Sequence, residues 1–566
     1  MNFMKMAAPT QAIILTEFCE RFAYYGILSS LQLFLRNYLH QSTAVSIVSV
    51  NIFSAICYLS PLFGGHIADN YIGRYKVIYY ALFMYVFSVG RTGGIKGNVF
   101  PFGSDQLDDR SASYKEDLQS FSNWFYFGIN VGALLAFTVV AYLCQDVSFA
   151  IGWSLPALSI FIDSGLLVFW HNDTRYRHMP PVGSKLTDLY GCTKLAWSRR
   201  HIRKVQLESE TGKHERKATE KLEVSYVETA EDHPSKHGSD NEKDKGNDND
   251  NDNDNDNESV KELPNHWLDI AKIEHGGLYD EETVEEVKQV YRLIPYMLFQ
   301  ISYCIVDSAQ TTLFFAQGCQ MDYTVRSFAM PIALLTVGDM LAILLLIPLL
   351  EKKIYPYLRE HFGLPITTLQ RTGVGYFVAV LTMFIAGVIE IERKRSGTIH
   401  DKTSTCGDVP VHHLSIFWLF LISALIGISE VFANVAGLEY FYTESPESCK
   451  STVFSFSLAA SGIGSVLSCL FIGLVNSNHN DPWITNNLDN GHLEYYYFLL
   501  AIIMLFSLLL FIPFAMGYVY REDIHSQYIS LDKQDRVEMN ATSSREPNDA
   551  KHGSDHDALV DGSSVL

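Results

Sequence analysis

The chain has 566 residues, of which 48% are hydrophobic, and its formal net charge is −20 at pH 7. The hydrophobic residues lie in long recurring runs, which excludes a string of ordinary soluble domains with or without one signal anchor. Much of the acid lies in two polar segments, so the net charge indicates no particular partner, and we expect no nucleic acid.

Stretches of about twenty apolar residues predict membrane-spanning helices in two groups. The first group lies near 11–36, 46–67, 77–103, 122–143 and 148–170. The second group lies near 292–317, 327–350, 368–390, 413–437, 452–475 and 495–518. The sequence therefore predicts an all-α polytopic protein with about eleven spans and the lipid bilayer as its surroundings.

Two polar segments separate and follow these groups. The first contains alternating Asn and Asp at 247–257 and cannot bury a core, so we expect it to be largely disordered apart from a short amphipathic helix at 281–290. The predicted domains are an N-terminal transmembrane bundle (1–175), an acidic loop (176–290), a C-terminal transmembrane bundle (291–520) and a disordered tail (521–566).

Basic residues predict the orientation in the membrane. Arg74 and Lys76 follow the second span, four basic residues lie at 199–204, and Lys352 and Lys353 follow a span of the second group. The positive-inside rule then makes the long loop and the tail cytosolic. Two helical bundles joined by a cytosolic loop are typical of a transporter whose site lies between two related halves.

Signatures of enzyme or metal chemistry do not stand out. Nine cysteines show no CxxC spacing, and we expect most of them to be small packing residues. There is no Ser-His-Asp arrangement, zinc-ligand spacing or nucleotide-binding loop. We therefore expect neither an enzyme nor a cofactor, with protons as the coupling ion.

Charged residues inside the spans are the main functional signal. Glu17, Glu20, Arg21 and Tyr24 stand at positions i, i+3, i+4 and i+7, which places them on one face of the first helix. Ions at this depth are costly unless they face a polar cavity and pair internally, so a functional cluster is favoured. The alternative is a salt bridge that only packs helices together.

Further charged residues lie in later spans, namely Lys96, Asp307, Asp339 and Glu430. Together with the first helix they make five acids against two bases, so some carboxyl groups must be protonated when the site is closed to water. Burial favours the neutral acid, whereas a nearby Lys or Arg favours the ionised form. This combination predicts proton coupling without specifying the substrate.

Several motifs in order make the resemblance to a known family specific. The matching segments are Glu17–Gly26 (EFCERFAYYG), Gly64–Arg74, Thr92–Gln106, Phe125–Leu134 and Ile428–Tyr440. They resemble the motifs of the proton-dependent oligopeptide transporters, a branch of the major facilitator superfamily, and the resemblance runs from about 13 to 518 without the long loop. Stretches at 145–156 and 461–465 look closest to the animal peptide/histidine transporters of endosomal and lysosomal membranes.

The resemblance implies a major facilitator fold of two six-helix bundles that clamp a peptide between two charged poles. Glu17, Glu20 and Arg21 would couple proton movement to binding of the substrate carboxylate, with Arg21 and Lys96 as the cationic pole. The residues implied to contact the peptide from elsewhere are Tyr25, Tyr126, Asn130, Asp307, Asp339 and Glu430, with Glu430 at the peptide amino group.

The resemblance also implies a gate, and for some residues a purely structural role remains the alternative. Asp69 and Arg74 are implied to belong to the cytoplasmic gate. Asn130 alternatively makes only an interhelical hydrogen bond, and the tyrosines are alternatively packing residues. Asn51 stands where plasma-membrane animal relatives have a proton-handling histidine, so protonation here must rest on the carboxylates or on another histidine.

One departure from the family concerns the third span. The family has twelve helices, and both ends of the 77–103 segment are predicted to be cytosolic, which a single span cannot satisfy. Helices three and four are therefore predicted to be fused or truncated, with roughly 25–30 residues absent. The alternative is a re-entrant segment buried by neighbouring helices.

The leading functional hypothesis is proton-coupled symport of di- and tripeptides, with histidine as a further substrate, by alternating access. The endosomal or lysosomal membrane is favoured over the plasma membrane. One alternative is a transporter-like signalling scaffold that recruits cytosolic adaptors through its loop or tail. Another is a transport-deficient variant that arises from splicing or a faulty gene model.

Overall fold

The structure is a computed structural model that describes residues 8–87, 96–107, 114–171, 176–177, 185–200, 266–325, 328–362, 367–446, 450–478 and 481–518. The chain divides into two units, residues 1–513 and residues 514–566. The second unit contributes only residues 514–518 to the described part. The predicted tail at 521–566 and the Asn–Asp repeat at 247–257 lie outside the described residues.

The described residues of the first half form six helices before the long loop. They are α1 (Ala8–Asn37), α2 (Thr43–Ile67), α3 (Arg74–Phe87), α4 (Val99–Ser104), α5 (Tyr114–Leu135) and α6 (Phe149–His171). Wide π-helical turns follow α2 and α5, at Ala68–Ile72, Ala136–Val140 and Leu143–Val147. The Ser42 side chain caps α2 by accepting a hydrogen bond from the Val45 N–H, as is usual at a helix start.

The second half is also helical. Its elements, with one helix of the loop, are α7 (Lys185–Ser198), α8 (Glu281–Gly318), α9 (Thr336–Leu349), α10 (Tyr355–Phe362), α11 (Thr368–Arg395), α12 (Phe417–Glu430), α13 (Ala436–Glu444), α14 (Lys450–Val475) and α15 (Leu493–Gly517). Two short antiparallel hairpins lie between helices, β1 (Thr324–Val325) with β2 (Phe328–Ala329) and β3 (Thr398–Ser404) with β4 (Gly407–His412). A capping box of Thr367 and Gln370 begins α11.

Seven helices in the described ranges are long and apolar enough to cross a membrane. They are Thr43–Ile67, Trp124–Val147, Ile332–Leu349, Thr368–Arg395, Phe417–Phe441, Ser455–Val475 and Leu493–Gly517. Helices α1 and α8, which carry the charged residues of the first and sixth predicted spans, are 30 and 38 residues long. The predicted all-helical polytopic fold is confirmed, whereas the count of eleven spans stays a prediction.

Helices α3 and α4 form a short hairpin instead of one span. Arg74 at the start of α3 forms an ion pair of 2.7 Å with Asp105, which follows α4, and the Tyr75 and Phe102 rings lie 5.7 Å apart. At about 1.5 Å per residue, α3 is only about 21 Å long, less than the roughly 30 Å hydrocarbon layer. Both ends of the 77–103 segment therefore lie at one end of the bundle, as the sequence predicts, and the fusion or truncation of helices three and four stays a prediction.

The ends of the long loop carry structure that was not predicted. Buried residues of α7, of the 3-10 turn Asp269–Ala271 and of the first turns of α8 form a small apolar cluster, including Cys192, Leu268 and Val284. Lys272 pairs with Glu281 at 2.9 Å beside it. The expectation that this loop cannot bury a core is wrong at its two ends, since each supplies apolar residues that the other covers. The amphipathic helix predicted at 281–290 is the beginning of α8.

Cys319 and Cys406 form a disulfide bond that joins the end of α8 to the β3–β4 hairpin. The expectation that the cysteines mostly pack as small apolar residues did not foresee this pairing, because 87 residues separate the partners. Disulfide bonds persist in oxidising compartments. The bond lies at the end of the bundle opposite to the predicted cytosolic end, so it agrees with the orientation that the basic residues predict.

The two halves pack against each other along α2 and α14. The approach is close because Gly462 faces Leu59, and a Cβ atom at Gly462 would lie 2.7 Å from the Leu59 side chain. At the outer end, hydrogen bonds join the halves: Asn37 Nδ2 donates to the Thr405 carbonyl at 2.7 Å, and the Thr43 N–H donates to Asn486 Oδ1 at 2.9 Å. The halves are thus tied together on the side away from the predicted cytosol.

Candidate functional site

Glu17, Glu20 and Arg21 form a buried ion cluster on α1, as their spacing predicts. Arg21 Nε donates to Glu17 Oε1 at 2.6 Å and lies 3.3 Å from Glu20 Oε2. Glu17 is 1% exposed and Glu20 is fully buried. The 3.3 Å contact lacks hydrogen-bond geometry, since neither Glu20 oxygen has a hydrogen-bond partner among the described residues. One cation therefore serves two acids.

Lys96 supplies the second positive charge, and aromatic rings hold it. Its Nζ atom lies 3.2 Å from the centroid of the Tyr24 ring and 4.6 Å from that of the Tyr58 ring. Lys96 is buried, makes no hydrogen bond to any described residue and interacts electrostatically with Glu20. A cation over aromatic faces is stabilised by the ring quadrupole when water is excluded. Tyr24 therefore does more than fill space, although it is also buried.

Asp163 is a further buried acid near the α1 cluster, and it was not predicted. It lies on α6, is 1% exposed, and its Oδ1 atom accepts a hydrogen bond of 2.8 Å from Thr16 of α1. Its other oxygen has no hydrogen-bond partner in the described part of the chain. A charged residue in the middle of the predicted 148–170 span was the signal that would have found it.

A cavity of about 210 Å³ lies between the two halves. The first half contributes aromatic and amide side chains, and the second half contributes acids and small polar groups. The polar residues that line it are Tyr24, Tyr25, Asn51, Ser54, Tyr58, Tyr126, Asn130, Asp307, Ser308, Gln310, Thr311, Thr336, Asp339, Glu430, Asn434, Ser461 and Ser465. The predicted contact residues Tyr25, Tyr126, Asn130, Asp307, Asp339 and Glu430 are thus brought together in one place.

The predicted cationic pole lies behind this wall. Neither Arg21 nor Lys96 is among the described residues that line the cavity. Lys96 lies on the rings of Tyr24 and Tyr58, both of which do line it, and Arg21 interacts electrostatically with Tyr25. In this conformation the tyrosines separate the cations from the cavity, so direct contact between Arg21 and a ligand requires these rings to move.

Two amide side chains in the wall have contacts that sequence alone did not settle. Asn130 Nδ2 donates to the Tyr126 carbonyl at 2.8 Å within its own helix. Asn51 Nδ2 donates to Ser468 Oγ at 3.3 Å and links α2 to α14 across the two halves. The residue at the position of the proton-handling histidine therefore joins the halves in this chain.

The acids of the second half gather because their helices approach closely. A Cβ atom at Gly427 of α12 would lie 2.5 Å from the Asp339 carbonyl oxygen, so glycine permits α9 and α12 to touch there. The Asp339 and Glu430 carboxyl groups are hydrogen-bonding neighbours, and Asp307 interacts electrostatically with Glu430. Among the described residues, no group of three or more His, Cys, Asp or Glu has the arrangement of a metal site.

A chain of hydrogen bonds orients Glu430. Tyr376 Oη donates to Gln300 Oε1 at 3.3 Å, and Gln300 Nε2 donates to Asn434 Oδ1 at 2.5 Å. This leaves the Asn434 amide nitrogen to bond to the Glu430 carboxyl group. A π-helical turn, Val431–Val435, begins directly after Glu430 and contains Asn434; such turns are frequent at functional sites.

The predicted gate is described only in part. The Asp69 side chain lies outside the described residues, while its backbone belongs to the π-helical turn after α2. Arg74 pairs with Asp105 of the α3–α4 hairpin. Arg74 therefore lies at the hairpin end of the bundle and is not among the described residues that line the cavity, and its role in a gate stays a prediction.

A second ionic cluster at the outer end was not predicted. Arg393 of α11 is fully buried and donates to Glu390 at 2.7 and 2.9 Å and to Asp489 at 2.9 Å. His412 Nε2 lies 3.0 Å from both Asp489 oxygens. Burial alone would raise the pKa of Asp489, but the hydrogen bond with His412 and the charge of Arg393 lower it below its usual range. This cluster joins α11, β4 and the loop before α15, and it lies outside the cavity.

Comparisons with known proteins agree with this arrangement. The profile described as PTR2: POT family matches residues 43–488. Two curated relatives from Arabidopsis thaliana, Protein NRT1/PTR FAMILY 8.1 and 5.4, are each 30% identical and cover 90% and 93% of this chain and 94% and 96% of their own lengths.

Solved structures show the same fold. The crystal structure of the POT family transporter PepTSo has a TM-score of 0.66 and 21% identity, covering 91% of this chain and 99% of that one. An auto-inhibited POT family peptide transporter has a TM-score of 0.67 and 20% identity, covering 91% and 98%. The relatives from a plant do not single out the animal peptide/histidine branch that the sequence suggested. The chain therefore belongs to the POT (PTR2) family, whose members are membrane transporters with the major facilitator fold and not enzymes.

Proposed function

We propose that this chain carries di- and tripeptides across a membrane together with protons, by alternating access. The observation that carries the proposal is the cavity between the halves, with three carboxyl groups on one wall and the Arg21–Lys96 cations behind the tyrosines of the other. A zwitterionic peptide has a cationic and an anionic end, so opposite charges on the two sides of one cavity suit it.

Proton coupling is supported by the charge balance. The buried acids of the site and its surroundings, Asp163 included, outnumber Arg21 and Lys96. Unpaired carboxylates are costly where water is excluded, so protons must accompany closure of the site. The hydrogen bonds between the halves at the outer end are the contacts that must break when the cavity opens to that side.

Finer assignments belong to the same proposal. A solved relative is described as a POT family peptide transporter, and another was determined with 5-aminolevulinic acid, a small amino acid that carries both charges. Histidine as a further substrate, kinship with the animal peptide/histidine branch and an endosomal or lysosomal location rest on the sequence resemblance alone.

The test is uptake of a labelled dipeptide into proteoliposomes that contain the purified full-length chain, with an inward proton gradient. We expect acid-stimulated uptake that is lost in Glu20→Gln and Arg21→Ala. The matched control Glu392→Gln neutralises an exposed acid at the end of α11 and should keep both uptake and its acid stimulation. A signalling scaffold that recruits adaptors would show no uptake in any of these proteins.

A further inference from the structure

The carboxyl groups of the cavity have no positively charged neighbour within it. Asp307, Asp339 and Glu430 line one wall, and no Lys, Arg or His is among the described lining residues. The groups that interact most strongly with the three acids are each other and neutral amides, namely Gln310 and Asn434. The wall therefore holds up to three negative charges, and no positively charged side chain among the described lining residues balances them.

Asp339 is the most deeply buried of the three acids. It is 7% exposed, lines the cavity, and its Oδ1 atom has no hydrogen-bond partner among the described residues. Its other neighbours include the Glu430 carboxyl group. Two carboxyl groups at hydrogen-bonding distance repel each other unless a proton or a cation lies between them. A ligand that brings positive charge to this wall would relieve that repulsion.

A neutral dipeptide brings one ammonium group to three acids. A dipeptide with a Lys or Arg side chain brings two cationic groups, so fewer carboxyl groups need a proton before the cavity closes. We propose that this cavity prefers peptides that carry a second positive charge, and that Asp339 is the residue that confers the preference. The inference rests on the proposed function and specifies its substrate class.

The experiment measures competition for uptake of labelled Ala-Ala into proteoliposomes that contain the full-length chain. Unlabelled Ala-Lys should inhibit at a concentration about tenfold lower than unlabelled Ala-Ala, a difference of about 1.4 kcal/mol, and Ala-Glu should inhibit least. In Asp339→Asn the ratio between Ala-Ala and Ala-Lys should fall to near one, whatever the absolute uptake. Asp339→Glu, which keeps the charge, should keep the ratio.

A matched control removes the same charge elsewhere. Asp408→Asn alters an exposed acid of β4, outside the cavity, and should leave the ratio unchanged. Equal inhibition by Ala-Ala and Ala-Lys in the unmodified chain overturns the inference, as does a tenfold ratio that survives Asp339→Asn.

Binding in detergent, measured as the shift in unfolding temperature with each dipeptide, tests the preference when uptake is absent. Stabilisation by Ala-Lys at lower concentrations than Ala-Ala supports it, and equal stabilisation or none overturns it. Binding with the predicted preference but without uptake contradicts the proposed transport and leaves this inference standing.

Discussion

Arg74 Nη1 lies 2.7 Å from Asp105 Oδ2, although 31 residues separate them in the chain. The pair holds the first turn of α3 against the end of α4, so the polypeptide enters and leaves this part of the bundle at the same end. The described part of each helix is shorter than the hydrocarbon layer of a bilayer.

Lengthening this hairpin should increase transport. We predict that inserting roughly 25–30 residues of a relative between Phe87 and Lys96, enough for two half-spans, raises dipeptide uptake severalfold at equal protein amount. The physical reason is that two complete helices would cover the outer part of the first half. A Gly-Ser insertion of the same length is the control and should give no increase. Uptake by the unmodified chain that equals that of the lengthened chain would contradict the prediction.

The aromatic ring of Tyr24 should contribute more to the stability of the protein than its hydroxyl group does. We predict that Tyr24→Leu lowers stability by about 2 kcal/mol or more, because it removes the aromatic face beneath the buried Lys96. Tyr24→Phe keeps the ring and should lose only about 1 kcal/mol with the hydroxyl hydrogen bonds. Thermal unfolding of the purified proteins measures both. Equal losses in the two variants would show that the ring does not stabilise Lys96.

The hydrogen bonds that run from Gln300 through Asn434 to Glu430 should set the affinity for the amino group of the substrate. We predict that Asn434→Leu raises the half-saturating dipeptide concentration about tenfold, since a hydrogen bond to a charged group contributes about 1.5–3 kcal/mol. Gln300→Leu should act in the same direction and more weakly, because it acts through Asn434. The control Ser302→Ala lies on the same helix as Gln300 and should leave the value unchanged. An unaltered half-saturating concentration in Asn434→Leu would show that Glu430 is positioned by other contacts.

Asp489 should stabilise the outer cluster across a wide pH range. Its pKa is lowered in the folded protein, so its contribution is complete above the ordinary pKa of an aspartate and is lost only as pH falls below about 4. We predict that Asp489→Asn lowers the free energy of unfolding by about 2 kcal/mol at both pH 7.5 and pH 5, because it leaves the buried Arg393 with fewer charged partners.

Thermal unfolding at several pH values measures the difference between the two proteins. Asp481→Asn, an exposed acid in the same loop, is the control and should have little effect. A difference that already disappears between pH 7.5 and pH 5 would contradict the assigned direction of the shift.

The sequence predicts the site better than it predicts the contacts around it. Glu17, Glu20 and Arg21 could be recognised because charge in an apolar span is rare and their spacing fixes one helix face. Tyr126 and Glu430 were found from motifs and Asp307 from its charge within a span, and the cavity brings the three together. The position of Arg21 and Lys96 behind the tyrosines, away from the cavity, could not be predicted, because it depends on side-chain conformations.

Contacts between residues that are far apart in the sequence could not be predicted in this way. Thr16 and Asp163 are 147 residues apart, and Cys319 and Cys406 are 87 apart. Each pair exists only after the helices have packed, and no local pattern encodes it. The loop ends that bury Leu268 against α7 and α8 were missed for the same reason, since neither end has enough apolar residues by itself.

The bonds that close the outer end involve main-chain groups on one side or the other, such as the Thr43 N–H and the Thr405 carbonyl. Water can replace each of them, so each contributes only about 0.5–1.5 kcal/mol. Together these two bonds contribute a few kcal/mol, which is comparable to the roughly 2.3 kcal/mol that 100 mV exerts on one charge. Breaking them therefore requires no more free energy than a membrane potential of ordinary size exerts on about one charge.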